Sequence, residues 1–305
     1  MPGTLKIESP RIVVIFSAEL QSSWNNPANC LFRVLYYDAN EMTVVDDPDL
    51  TGRAVCDAID RRIPGSSSWR GEVAMQRERI LEIEKLRDRT GLFANRNEAG
   101  QVLSGLVRQL DLQHPLVFAI PAGGLPISVP LAEALSCPLD VAVVSKITLP
   151  WNTEAGYGAV AFDGSYLLYE AMIRAVGLND REVARGLEKT RTKVARRVAA
   201  LRKGRPMPDL LAHEVLLADD GLASGFTMRT AVAALRRAGA KELIVAVPTG
   251  HEDAVRSMAK QVDVVCCANI RRGRSFAVAS AYRHWSDVSE AEAEQILLGT
   301  GDTQD

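Results

Sequence analysis

From about residue 93 onward, short apolar segments alternate with amphipathic ones, and this alternation constrains the fold more than any other feature. The apolar segments are PLVFAI, LDVAVVSKI, HEVLLA, KELIVAV and VDVVCCANI, and most of the intervening segments have helical spacing. Strands that are apolar on both faces belong to parallel sheets covered by helices. The sequence therefore predicts an α/β fold with a doubly wound, mostly parallel sheet and a Rossmann-like core.

The first ninety residues have a different character and predict a small α+β extension. RIVVIFSAEL and LFRVLYYDANEMTVV indicate strands, the second folded into a hairpin at residues 38–40. DLTGRAVCDAIDRRI has helical spacing, residues 63–71 form a Pro/Gly/Ser linker, and EVAMQRERILEIEKLRDR predicts a charged, exposed helix. We therefore expect an extension of undetermined role over 1–90, a main domain over 91–300 and a tail over 301–305.

Charge and hydropathy narrow the classes of partner. The formal net charge of −2 excludes a global field that recruits nucleic acid or anionic lipid. Every apolar run falls short of the ~18 residues of a membrane span, and the N-terminal residues lack the apolar core of a secretory signal. We expect a cytoplasmic protein without a membrane partner.

One segment carries a strong local charge. Residues 181–205 hold ten Lys and Arg against two Glu. Such a segment is compatible with a nucleic-acid footprint, but aromatic side chains are not interleaved with the charges. We favour a solvated helix face, or a helix against an acidic neighbour, and do not expect a nucleic-acid partner.

The stretch VLLADDGLASGFTMRTAV, residues 215–232, contains the most informative loop. Ligands of parallel sheets bind at the carboxyl ends of strands, and this strand ends in two adjacent aspartates. Glycines, hydroxyl side chains and the amides of a helix N-terminus follow, which together favour an anion. The loop lacks GxxxxGK[ST] and GxGxxG. A phosphorylated ribose, often with Mg²⁺, fits one phosphate cradle beside two carboxylates; the alternative is that the aspartates only cap the turn.

ADDGLASGFT resembles the phosphoribosyl pyrophosphate (PRPP) signature of type I phosphoribosyltransferases. IPAGGLPIS resembles the pyrophosphate loop of that family, and LDVAVVSKITLPWNTEAGYGAVAFDG its second strand, mobile loop and following hairpin. GRPMPDLLAHEVLLADDG and SFAVASAYRHWSDVSEAE are similar to a bacterial and archaeal group within it. The resemblance covers roughly residues 91–298.

The resemblance implies Mg²⁺-dependent transfer of ribose 5-phosphate from PRPP to a small-molecule acceptor, with release of pyrophosphate. Mg²⁺ would be held mainly through PRPP, with Asp219 or Asp220 as candidate ligands. The implied catalytic residues are Asp219, Asp220, Lys146 and Glu154. The implied phosphate-binding residues are Ala223, Ser224, Gly225, Phe226 and Thr227. The implied pyrophosphate-binding residues are Ala122, Gly123, Gly124 and Lys146. The candidate acceptor pocket contains Phe276 and Tyr282, and the family implies a homodimer.

Two positions depart from the family pattern, and a third, Ala223, bears on the identity of the acceptor. Ser224 replaces a usual threonine and keeps the hydroxyl, while Ala122 replaces the usual arginine of the pyrophosphate loop. Ala223 stands where enzymes of 6-oxopurines carry an acid, so the acceptor is expected to be a different nucleobase or related small molecule. Because a cation is missing at Ala122, a second function stays open: a non-catalytic regulator that senses PRPP or a nucleotide, with nucleic-acid binding as an optional addition.

For four of these side chains a structural role is the alternative. Lys146 is then an exposed lysine at a strand end, Glu154 a solvated loop residue, and Phe276 and Tyr282 are part of the core.

Overall fold

The computed structural model describes residues 79–273 and 275–301, together with three strands nearer the N-terminus. The chain divides into two compact units, Met1–Met75 and Gln76–Asp305. In the first unit, β1 (Arg11–Phe16), β2 (Phe32–Asp38) and β3 (Glu41–Asp47) form an antiparallel sheet in that order. This confirms the hairpin predicted at residues 38–40. The helix predicted over 49–63 and the linker over 63–71 lie outside the described residues.

The second unit is built on strands and helices that alternate as the sequence predicts. Its described strands are β4 (Ile80–Glu82), β5 (Pro115–Ala119), β6 (Leu139–Val141), β7 (Val144–Leu149), β8 (Asn152–Ala161), β9 (Tyr166–Leu168), β10 (Glu214–Ala218), β11 (Glu242–His251) and β12 (Val264–Arg271). Its described α-helices are α1 (Arg96–Val107), α2 (Leu125–Leu135), α3 (Glu170–Val176), α4 (Asp180–Arg202), α5 (Phe226–Arg237), α6 (Glu252–Ala259) and α7 (Glu290–Gly301).

Six strands form the main sheet in the order β4-β12-β11-β10-β5-β6, and every neighbouring pair is parallel. Consecutive residues of β10 pack into different parts of the core. Leu217 belongs to a buried cluster that includes Met228 of α5. Leu216 belongs to a second cluster with Leu103 of α1 and Leu131 of α2. The sheet is therefore covered on both faces, which explains why its strands lack polar alternation.

A smaller antiparallel sheet, β7-β8-β9, follows β6. The helix α4 packs against it and begins with a capping box, in which the Asn179 side chain accepts the Glu182 N–H. Two cations of this basic helix point inward. Arg197 lies 2.7 Å from Glu290, and Arg202 lies 3.0 Å from Asp140. Part of the local positive charge is thus neutralised within the fold.

The helix predicted for EVAMQRERILEIEKLRDR is wrong over residues 79–89. This segment contains β4, which pairs with the edge strand β12, and a short 3-10 helix, Glu84–Leu86. Ile80 packs on one face of the sheet and Leu81 on the other. The edge of β12 offers unpaired backbone groups to a neighbouring strand, and the side chains of ILEI pack alternately on the two faces of the sheet. Together these outweigh the helix propensity of the charged residues.

Two strand–loop boundaries also differ from the predictions. LDVAVVSKI is divided between β6 and β7, which belong to different sheets. The segment LPWNTEAGYG, predicted as a mobile loop, is largely strand: Leu149 pairs with Asn152, and the hairpin turns at Pro150 and Trp151. Similarly, β11 extends to His251, so part of the predicted PTGHED loop continues the sheet. No helix in the described part of the chain is long and apolar enough to span a membrane.

Candidate active site

The loop between β10 and α5 is fixed to the neighbouring strand β11. The Leu222 N–H donates to the Thr249 carbonyl at 2.9 Å, and the His251 N–H donates to the Leu222 carbonyl at 2.8 Å. Gly225 adopts a left-handed conformation with φ of 72° immediately before α5, as a glycine readily does. Ser224 is exposed, and its Oγ lies 3.4 Å from the Phe226 N–H. The first amides of α5 and an exposed hydroxyl thus form a cradle suited to a phosphate.

The loop between β5 and α2 is a second tight turn at the same edge of the sheet. Its Pro121–Ala122 peptide bond is cis. The Gly124 N–H donates to the Ile120 carbonyl at 3.0 Å, and the Leu125 N–H donates to the Ala122 carbonyl at 3.1 Å. Two backbone hydrogen bonds therefore close the turn and help to fix the position of its remaining amides.

The two loops touch because β5 and β10 are adjacent parallel strands. A β-carbon at Gly123 would overlap the carboxylate of Asp220. A β-carbon at Gly124 would lie 2.8 Å from the Ala218 carbonyl oxygen at the end of β10. Both glycines are therefore required for close approach, and the acid pair lies directly against the second loop.

Burial dominates the electrostatics of the acid pair. Burial raises the pKa of Asp219 well above its ordinary value, and the charge of Asp220 raises it further. The Asp220 N–H, which donates to the Asp219 Oδ1 at 2.8 Å, and the charges of Arg96 and Lys146 act in the opposite direction. The pKa of Asp220 is also raised by burial, and there Arg96 is the main opposing group. The pair thus favours a bound proton, a cation or hydroxyl donors.

Arg96, the first residue of α1, holds Asp220 from across the site. Its Nε and Nη2 each lie 3.0 Å from the Asp220 Oδ2. Its Nη1 donates to the Ser286 carbonyl at 2.7 Å, and its guanidinium lies 3.8 Å from the Trp285 ring centroid. The Tyr282 hydroxyl donates to the backbone carbonyl of Asp220 at 2.6 Å. The segment after β12 therefore fixes both the backbone and the side chain of Asp220.

A cleft with a volume of about 870 Å³ opens beside Arg96. It lies between the first turns of α1 and α2, the segment after β12 and the helix α7. Its lining residues include Arg96, Pro126, His284, Trp285, Glu292 and Gln295. Trp285 is 38% exposed, so part of its ring is open to a ligand. The cleft combines an aromatic surface with amide and charged groups, a combination typical of small-molecule sites.

This chain is similar to known proteins. A family model described as a phosphoribosyl transferase domain matches residues 92–281. The chain belongs to the phosphoribosyl transferase family. Two Mycobacterium tuberculosis relatives, named "Putative phosphoribosyl transferase MT0597" (strain CDC 1551) and "Putative phosphoribosyl transferase Rv0571c" (strain H37Rv), are each 33% identical over 207 residues. The matched region is 68% of this chain and 46% of each relative, so this chain spans about half of their length.

The fold of the phosphoribosyl transferase domain also has a solved counterpart. The crystal structure of TT1426 from Thermus thermophilus is 29% identical, with a TM-score of 0.55, and the match covers 68% of this chain and 98% of that one. The family resemblance drawn from ADDGLASGFT and the doubly wound fold class are therefore confirmed.

Some of the residues predicted from the sequence lie together in the structure, and others do not. Asp219, Asp220 and Ala223–Thr227 lie on the first loop and Ala122–Gly124 on the second, and the two loops meet at Gly123 and Asp220. Lys146 is exposed on β7, and its charge acts on Asp219. Glu154 belongs to β8, but its side chain lies outside the described residues.

The two predicted acceptor residues have different neighbours. Tyr282 is 5% exposed and packs against Phe93 and Trp285 at ring-centroid distances of 5.8 and 5.1 Å. Its position behind Asp220 does not favour stacking on a planar acceptor. Phe276 is half-buried and packs edge-on against His251, with the Arg271 guanidinium 5.0 Å from its ring centroid.

Sequence reasoning did not find Arg96, Ser286 or Trp285. Arg96 lies 124 residues before its partner Asp220. The only local indication was an arginine just after the helix cap in NRNEAG, since a cation is unfavourable at a helix N-terminus unless an anion compensates it.

The residues present fit a metal only in part. Among the described residues, no group of three or more His, Cys, Asp or Glu side chains is arranged to hold a metal ion. Asp219 and Asp220 supply two carboxylates, and Arg96 already partners one of them. This donor set suits Mg²⁺ that is bound chiefly by a polyphosphate ligand, since Mg²⁺ commonly takes one or two carboxylates plus substrate phosphates.

Proposed function

We propose that this domain transfers ribose 5-phosphate from PRPP to a small-molecule acceptor, with Mg²⁺ bound through PRPP. The single observation that carries the proposal is the contact of the two loops. A phosphate cradle, a pair of carboxylates and a tight glycine-containing turn adjoin at the carboxyl ends of two neighbouring strands. This spacing suits one ligand with a 5-phosphate, two ribose hydroxyls and a pyrophosphate.

Each part has a separate role in this proposal. The amides at Ala223–Thr227 and the Ser224 and Thr227 hydroxyls bind the 5-phosphate. Asp219 and Asp220 accept hydrogen bonds from the ribose hydroxyls and stabilise positive charge that develops on the ring. The amides of Ala122 and Gly123 and the Lys146 ammonium face pyrophosphate, whose negative charge Mg²⁺ would reduce when bound. The Gly124 N–H donates to the Ile120 carbonyl, so Gly124 contributes through close approach of the backbone and not through its amide.

The reaction is a substitution at the anomeric carbon. The bond between that carbon and the pyrophosphate oxygen breaks, and its electron pair leaves with pyrophosphate. A lone pair of the acceptor forms the new bond, and the proton displaced from the acceptor passes to solvent or to a base such as Glu154. The protein contributes mainly positioning and electrostatic stabilisation.

We propose that the acceptor occupies the cleft beside Arg96. This assignment is supported by the contact between Arg96 and Asp220 and by the partly exposed ring of Trp285. It differs from the pocket expected at Phe276 and Tyr282. A planar, hydrogen-bonding acceptor suits the cleft. The family resemblance separately disfavours a 6-oxopurine, because Ala223 stands where enzymes of 6-oxopurines carry an acid.

The test is incubation with PRPP, Mg²⁺ and a panel of planar acceptors, with mass detection of ribosylated products and a separate assay for pyrophosphate. We expect an acceptor-dependent product and one pyrophosphate for each product formed. The control is the double variant Asp219→Asn with Asp220→Asn, which should be inactive. Absence of PRPP binding by wild-type protein would exclude the proposed function.

A regulator that senses PRPP or a nucleotide is the second candidate. Ala122 favours it, because the pyrophosphate loop carries no cation of its own. Tight PRPP binding without pyrophosphate release for any acceptor, together with a salt-sensitive shift of RNA or DNA, would support this role. A cytoplasmic location and a homodimer remain proposals on the basis of the family.

A further inference from the structure

The contacts of Arg96 are more specific than a surface ion pair requires. Both guanidinium contacts to Asp220 fall on Oδ2, at 3.0 Å each, so Arg96 does not use Oδ1. The same Oδ2 occupies the space where a side chain at Gly123 would lie. One oxygen of the carboxylate is therefore fixed by a cation and a glycine, and the other is left for a ligand.

Arg96 is itself fixed on its remaining sides. One nitrogen donates to the Ser286 carbonyl at 2.7 Å, and the guanidinium stacks over the Trp285 ring at 3.8 Å. Only 8% of the residue is exposed. An arginine side chain carries about 2 kcal/mol of rotamer entropy when free, and here that freedom is removed before any ligand binds.

Stability alone does not account for this arrangement. Buried ion pairs contribute little net stability relative to apolar residues of similar shape. Asp220 is also held through its backbone, since its carbonyl accepts the Tyr282 hydroxyl at 2.6 Å. Two separate contacts from the segment 282–286, one of them through Arg96, thus converge on one residue of the acid pair.

We infer that Arg96 is a positioning residue, which acts through Asp220 to present its Oδ1 to the ribose hydroxyls of PRPP. The inference rests on the proposed function. Trp285 and Ser286 hold Arg96, and Arg96 holds the carboxylate. Removal of Arg96 leaves Asp220 free to rotate and its charge unpartnered, so the ribose loses a prearranged hydrogen-bond acceptor.

The test measures PRPP and inorganic pyrophosphate affinities by calorimetry in the presence of Mg²⁺. The variants are Arg96→Met and Arg96→Lys, and the matched control is Arg108→Met. Arg108 is exposed at the other end of α1, where its side chain donates to the Ala134 carbonyl. Loss of a group that orients a metal-binding side chain typically lowers metal affinity about 10- to 100-fold. By analogy, we expect a loss of that size in PRPP affinity for Arg96→Met.

Four further results are expected. Arg96→Lys should retain part of the affinity, since an ammonium keeps the charge but cannot form the paired contacts. Arg108→Met should bind like wild type, and pyrophosphate affinity should be unchanged in all variants. In an Asp220→Asn background, Arg96→Met should cause little further loss, because Arg96 acts through that carboxylate.

The outcomes separate the inference from the proposed function. If wild-type protein does not bind PRPP, both fail. If wild-type protein binds PRPP, and both Arg96→Met and Arg96→Lys bind it as tightly as wild type, only the inference fails. Additive losses with Asp220→Asn, or a loss of pyrophosphate affinity, would show direct contact of Arg96 with the ligand and also overturn the positioning role. If Arg96→Met does not fold, as judged by circular dichroism, Arg96→Lys and Trp285→Leu decide the question by the same measurement.

Discussion

Replacement of Asp219 by asparagine should stabilise the free protein at neutral pH while it weakens PRPP binding. Asparagine keeps the size of the side chain and the oxygen that accepts the Asp220 N–H at 2.8 Å. It removes a carboxyl group whose pKa is raised mainly by burial and also by the charge of Asp220. The substitution therefore separates the cost of the buried charge from the packing of the loop.

The change of the stability difference with pH follows from proton binding by Asp219. Because the pKa of Asp219 is higher in the folded chain, the folded state binds its proton more tightly than the unfolded state does. The stabilising contribution is complete below the pKa of an unfolded aspartate, near ~3.9, and is lost as the pH rises through the folded pKa. The two proteins should be similar near pH 4, and the variant should be more stable at pH 7–8.

We expect removal of this buried charge to raise the free energy of unfolding by about 0.5–2 kcal/mol, the range of typical single stabilising substitutions. For a unit of this size each kcal/mol shifts the melting temperature by roughly 2–4 °C, so the shift is about 1–8 °C. Thermal melts between pH 4 and 8 at constant ionic strength measure it. Asp209→Asn is the matched control, because Asp209 is exposed and also accepts a backbone N–H, from Leu211 at 3.0 Å.

Two results would refute this reasoning. One is a variant that is less stable than wild type at pH 7–8. The other is a stability difference that does not change between pH 4 and 8, since it would mean that the charge of Asp219 is not the source. The control should follow wild type at every pH.

Three other substitutions test the site. The double variant Asp219→Asn with Asp220→Asn should lose roughly 1.5–3 kcal/mol of PRPP binding per charge-assisted hydrogen bond removed; calorimetry with wild-type-like affinity would contradict the assigned role. Ala122→Arg should tighten pyrophosphate binding by roughly 1–3 kcal/mol and leave ribose 5-phosphate binding unchanged; equal pyrophosphate affinity in a folded variant would show that the loop does not face the leaving group. Tyr282→Phe should lower the free energy of unfolding by about 0.5–1.5 kcal/mol in urea denaturation, and no change would mean that its hydroxyl contributes nothing to holding Asp220.

The sequence was informative wherever function depends on consecutive residues. Asp219, Asp220 and Gly225 lie in one loop between an apolar strand and a helix, and the physical demands of that loop are visible in its letters. The meeting of this loop with Gly123 was predictable as well, because the carboxyl ends of parallel strands share one edge of the sheet.

The parts that sequence reasoning missed depend on tertiary contacts. The partnership of Arg96 with Asp220 spans 124 residues and leaves no periodic pattern. The error over residues 79–89 has a related cause: a charged segment with helix-favouring residues becomes β4 because β12 offers an unpaired edge. Tyr282 was predicted to line the acceptor pocket, and only the folded chain shows that its hydroxyl donates to the backbone carbonyl of Asp220.

The attachment of Asp220 to the segment after β12 has a consequence for biosynthesis. Tyr282 follows Asp220 by 62 residues, which a ribosome adds in roughly 3–12 s at about 5–20 residues per second. The same late segment pairs with the residues before α1, where the Arg283 N–H donates to the Phe93 carbonyl at 2.7 Å. During translation the sheet strands β5, β10 and β11 precede this segment. A nascent chain that has completed those strands still lacks the contacts of Tyr282 and Ser286 that hold Asp220 and Arg96. We therefore expect the proposed ligand site to be completed close to the end of synthesis of this domain.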